Sequence, residues 1–138
     1  MNLGLRFSCL LIHVVLLLSL FDKRATIVAN SLPPSPSPEL LSSKNLLLGF
    51  VLRANIFFVV AEFILTLFGF SHRFPSVSFT SIICHTSAVS VLVLFYSLLR
   101  LSTISFTFWV FSFIPFFMEV IFLCIHIFKL RIDKRSKL

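Results

Sequence analysis

A chain of 138 residues that is 58% hydrophobic and 12% charged, with a mean hydropathy of +1.06, lacks the roughly 25% of charged residues that cover a soluble domain. The net charge of +7 comes from twelve basic residues at the edges of apolar runs and in the last ten positions, not along one polar face. That distribution argues against a nucleic-acid partner and matches the flanks of membrane spans, so the bilayer is the expected solvent.

The predicted fold is all-α: a polytopic membrane protein of four transmembrane helices, forming one up-down antiparallel bundle over residues 1–138. A span needs about 20 apolar residues. The first, 3–21, is interrupted by Arg6, Ser8, His13 and Ser19. Met1 to Arg6 also resembles the basic start of a cleaved signal peptide. The apolar core is long, however, and Asp22, Lys23 and Arg24 follow it at once, which favours an uncleaved span.

The loop 22–45 is rich in proline and serine. Its stretch from Leu32 to Pro38 predicts an extended, polyproline-like spacer with no helix potential; a proline-rich ligand for a partner domain is the alternative. The second span, 46–70, carries Arg53 and Glu62. Its seventeen Leu, Ile, Val and Phe residues favour insertion by about 5 to 10 kcal/mol, against about 3 kcal/mol for a central charge. The span stands.

The third span, 77–99, follows a six-residue turn (Ser71–Ser76), and the fourth, 104–128, follows a short joint around Arg100. Turns this short force antiparallel neighbours in sequence. Four spans put both termini on one side. With Arg6, Arg73 and the tail 129–138 outweighing Lys23, Arg24, Lys44 and Arg100, that side is expected to be cytoplasmic. The tail also suits anionic headgroups, by about 1 kcal/mol per basic residue. Its ending, Ser136-Lys137-Leu138, matches a peroxisomal matrix signal that serves soluble cargo, and is read as chance in a basic tail. Cys9, Cys84 and Cys124 lie inside apolar segments, without the pairing or spacing of a disulfide or zinc framework.

Ionisable groups within spans usually face the bundle interior. Glu62, His85 and Glu119 all fall roughly 5 Å to the cytoplasmic side of the bilayer centre, with His13 close to the same layer. The faces agree: Asn55, Glu62, Thr66 and Gly69 recur at helical spacing, as do Ser78, Ser81, His85 and Ala88, and Ser112, Pro115, Glu119 and His126. Pro115 frees the carbonyl of Phe111 and predicts a helix kink. His13, Glu62, His85 and Glu119 are thus a candidate intramembrane cluster. As glue, the glutamic acids would hydrogen-bond to histidine or serine and fix which helices pair. A small proton-coupled transporter, or a metal or haem site, are the competing readings. No Glu-x-x-His pair, nucleophile triad or phosphate loop is present, so no catalytic residue, cofactor or metal is expected and the protein is not expected to be an enzyme.

The pattern resembles the transmembrane protein 107 family over nearly the whole chain. The resemblance rests on Arg6-Phe7 and Leu10-Leu11 before His13, Leu32-Pro33, Glu62, His85-x-Ser87-Ala88, Ser112-x-x-Pro115-x-x-x-Glu119 and the basic tail. The first loop, rich in proline and serine where the family's is acidic, and the less polar joint between spans three and four depart from it. The resemblance implies a non-enzymatic tetraspan component of the ciliary transition zone, acting with tectonic, B9-domain and other Meckel syndrome complex proteins. It implies a role in ciliogenesis and in the gate that controls ciliary membrane composition.

Overall fold

In the computed structural model, residues 3–68, 75–94 and 101–135 are described. They are helical throughout except for short connections. α1 spans Leu3–Asp22, α2 Arg24–Ser31, α3 Pro38–Leu67, α4 Pro75–Leu94, α5 Leu101–Phe108 and α6 Ile114–Arg135, with a π-helical turn at Trp109–Phe113 joining the last two into one rod. Four stretches are long and apolar enough to cross a membrane: Gly4–Asp22, Pro38–Leu67, Pro75–Leu94 and Ile104–Lys129. Gly69, Arg73, Arg100 and the Ser136-Lys137-Leu138 ending lie outside the described residues.

The first loop differs from its sequence reading. Apart from Lys23, only residues 32–37 are non-helical, and Ser35, with φ of 62°, bends them away from a straight polyproline rod. α2 forms although Thr26, Ile27 and Val28 are poor helix formers, because Ile27 and Val28 are buried where α2 packs on α3 and α5. α3 begins two turns before the apolar run. Pro38 occupies its first turn, where a missing N–H loses nothing, and the Ser37 side chain accepts from the Leu40 amide at 3.3 Å. At the other end α6 continues as helix through Lys129 and Arg131 to Arg135, so the basic tail is largely an extension of the span.

α1 packs on α3 and α4, and the α5–α6 rod packs on the same two helices. α3 and α4, although consecutive spans, therefore face each other across one diagonal of the bundle, and α1 faces the rod across the other. Paired residues give the directions. Phe7 stacks near Phe63 and the Arg53 guanidinium lies over Phe21, so α1 and α3 are antiparallel. α1 and α4 run parallel, with Arg6 bonded to Ser78 and Ser81 and His13 to His85.

The core divides along its length. Towards α2 it is apolar, built from Leu17, Leu20, Val28, Leu48, Leu52 and Leu92. Phe58 then joins α3 to the rod, its ring 4.9 Å from Phe116 and 5.6 Å from Phe113. Further along, the interior turns polar. Outward-facing Leu18, Phe57, Ile83 and Ile121 are about half exposed or more, an apolar belt suited to acyl chains.

Candidate functional site

The polar half of the core is organised by Arg6, on the first turns of α1. Arg6 shares a face with Leu10, His13, Leu17 and Leu20, at three- and four-residue steps, and all five are buried. The residue is only 2% exposed. Nη2 donates to Glu62 Oε1 at 3.0 Å and lies 3.1 Å from both carboxylate oxygens of Glu119. Nε donates to Ser81 Oγ at 3.1 Å and Nη1 to Ser78 Oγ at 3.2 Å. One side chain thus contacts the three other spans.

Glu62 is the second hub. Its Oε1 also accepts a short hydrogen bond from the Ser81 hydroxyl, and its Oε2 lies 3.0 Å from His85 Nε2. His85 Nδ1 is 2.8 Å from His13 Nδ1, which leaves one proton shared between the two rings. Thr66 Oγ1 donates to the Glu62 carbonyl one turn earlier, at 2.9 Å. His13, Glu62, His85 and Glu119, the four groups singled out by depth and face, are therefore in one connected network, with Arg6 joining the two glutamates.

Arg6 is what sequence reasoning missed. Counted as a cytoplasmic flank of span one, it instead lies buried as the counter-ion of Glu62 and Glu119. The signal was its seven-residue spacing from His13, which puts both on one helical face. Its presence also alters the glue reading, because a carboxylate beside a guanidinium needs no protonation to stay in the interior. With neutral imidazoles the five ionisable groups sum to −1. One further proton on a ring or a carboxyl group makes the cluster neutral.

The seam continues away from the ion pairs. Asn55 and Ser112 each lie two turns before a glutamate of the cluster, and both are fully buried. Asn55 Oδ1 and Nδ2, Ser112 Oγ and His13 Nε2 have no hydrogen-bond partner among the described residues. Pro115 is buried two residues after the π-helical turn ends. Its missing N–H removes the bond to the Phe111 carbonyl, and the disturbance takes the form of a widened turn two residues before the proline. Ser112 sits within that turn. His126 lies half-buried farther along α6.

Among the described residues no group of three His, Cys, Asp or Glu side chains is placed to hold a metal ion. Cys9, Cys84 and Cys124 are free thiols, Cys9 Sγ lying 3.4 Å from Thr86 Oγ1. The geometry joins helices across both diagonals of the bundle: α1 to the rod through Arg6–Glu119, and α3 to α4 through Glu62–Ser81 and Glu62–His85.

A family model for TMEM107, described as a transmembrane protein, matches residues 3–123, a stretch that holds every member of this cluster. No curated protein and no solved structure matches the chain.

Proposed function

This chain belongs to the transmembrane protein 107 family, and from that premise we propose that it is a non-enzymatic component of the ciliary transition-zone membrane. In this reading it helps assemble the Meckel syndrome complex with tectonic and B9-domain proteins, and so contributes to the gate that controls ciliary membrane composition and ciliogenesis. Both termini lie in the cytoplasm. The family match over residues 3–123 carries the proposal.

The chemistry of the interior supports it. Arg6, Glu62 and His85 are 2%, 0% and 0% exposed and satisfy one another, so they form a brace within the bundle. What remains for a partner is the outer surface: the apolar faces of four spans and the helical extension at the end of α6. Removing Arg6 from the flank count still leaves Lys129, Arg131, Lys134, Arg135 and Lys137 near the end of the chain, which favours a cytoplasmic placement.

A tagged copy in a ciliated cell tests the proposal. It should form a ring at the ciliary base and should recover tectonic and B9-domain proteins on purification. Peroxisomal puncta, or a diffuse reticular pattern with none of those partners, would overturn it. The linked His13–His85–Glu62 chain is the observation that favours the second reading, a proton-coupled carrier. Flux that depends on pH in proteoliposomes, and is lost in Glu62→Gln, would decide for that reading.

A further inference from the structure

At the end of the bundle away from Arg6, two further arginines stand around one aromatic ring. The Arg24 guanidinium lies 4.6 Å from the centroid of Phe21, and that of Arg53 lies 5.6 Å from the same ring. Arg24 Nη1 also donates to the Phe21 carbonyl at 3.2 Å, which fixes its position at the end of α1. Among the described residues the ion pairs involve Arg6 and His85, so neither Arg24 nor Arg53 has a carboxylate partner.

Both arginines line a cleft of about 440 Å³, together with Ser42, Asn45 and Gly49 of α3. Asn45 Oδ1 is buried with no hydrogen-bond partner, so the cleft offers an acceptor beside its two cations. Gly49 leaves its floor open: a Cβ added there would meet nothing within 4 Å. Arg53 also borders a second, apolar groove of about 330 Å³, walled by Leu18, Phe21, Ile56, Phe57 and Val60. That groove runs from Arg53 towards the middle of the span, since Val60 lies two turns farther along α3.

We propose that an anionic phospholipid occupies this pair of sites, its phosphate between Arg24 and Arg53 and one acyl chain along the groove from Arg53 to Val60. The two cations complement a lipid of net negative charge better than a zwitterionic one, because a second anionic group on the headgroup gives the second guanidinium a partner. A hydroxyl or amine of the headgroup would donate to Asn45 Oδ1. A free phosphate fits the cleft but leaves the adjoining apolar groove uncovered. Nine residues separate Arg53 from Glu62, about 13.5 Å along the axis, so the lipid site and the polar brace sit at different depths.

The test uses the full chain, purified in mild detergent, with equimolar phosphatidylserine and phosphatidylcholine and native mass spectrometry as readout. One phosphatidylserine should be retained preferentially by at least about tenfold. The double variant R24Q/R53Q should lose that preference. Gly49→Leu should lose it too, by filling the cleft with no change of charge. K129Q/R131Q, on the remote extension of α6, should keep it. Helical circular dichroism verifies that each variant is folded. Equal retention of the two lipids overturns the proposal, as does persistence of the preference in folded R24Q/R53Q or its loss in K129Q/R131Q. Displacement by millimolar inorganic phosphate also overturns it, by assigning the cleft to a free anion.

Discussion

Arg6 Nη2 stands 3.0 Å from Glu62 Oε1, 56 positions away in the chain, with the side chains of the two residues 3% and 0% exposed. An ion pair this buried loses its hydration on both sides. It holds together because each partner is otherwise satisfied: the guanidinium by Ser78, Ser81 and Glu119, the carboxylate by Ser81 and His85. Such a pair adds little net stability over well-packed apolar residues, but it is costly to break from one side.

Arg6→Leu should therefore be among the most damaging single changes. It takes the shared guanidinium away from Glu62 and Glu119, a loss of about 3–5 kcal/mol. Thermal unfolding in detergent, or protease resistance in a bilayer, measures it. Glu119→Gln should be clearly milder, because Arg6 keeps Glu62 and the amide oxygen can still accept.

Arg6→Lys should fail to restore what Arg6→Leu removes. Arg6 uses Nε, Nη1 and Nη2 towards four residues, two glutamates and two serines, and a single ammonium cannot reach all of them. A deficit of about 1–3 kcal/mol relative to the native chain is expected on the same assay. Lysine matching arginine would show that charge alone matters.

Phe58→Ala should loosen α3 from the α5–α6 rod, where Phe58 meets Phe108, Phe113, Phe116 and Phe117. Lipid is as apolar as the ring, so only packing is lost, about 2 kcal/mol. Faster amide exchange at residues 108–117 is the accompanying sign.

Ser37→Ala should cost about 1 kcal/mol at the start of α3 by removing the acceptor for the Leu40 amide. Hydrogen exchange should rise over the first turn from Pro38, while the Glu62 region stays protected.

The four spans were legible because apolar runs of span length leave little else for a chain to do, and Glu62, His85 and Glu119 were legible by depth and face. Arg6 was not, because a cation near the start of an apolar run usually marks the interface, and only its register with His13 sets it apart. α2 was hidden by Thr26, Ile27 and Val28, whose burial outweighs their weak helix preference. Short turns revealed that α3 and α4 run in opposite directions. They carried no information on ring order, which is set by the cluster joining α3 to α4 across the bundle axis.

If the ionisable cluster only braces the bundle, removing its buried charges together should be tolerated where removing one is not. Combining Arg6→Met, Glu62→Gln and Glu119→Leu tests it most directly, since all three buried charges disappear while volume and a hydrogen-bond partner for Ser81 and His85 remain. Localisation of this triple variant in a ciliated cell is the measurement. The brace account predicts a ring at the ciliary base that Arg6→Leu alone loses and the triple variant regains. Loss of the ring in a stable, folded triple variant would contradict it, by showing that the charges themselves are used.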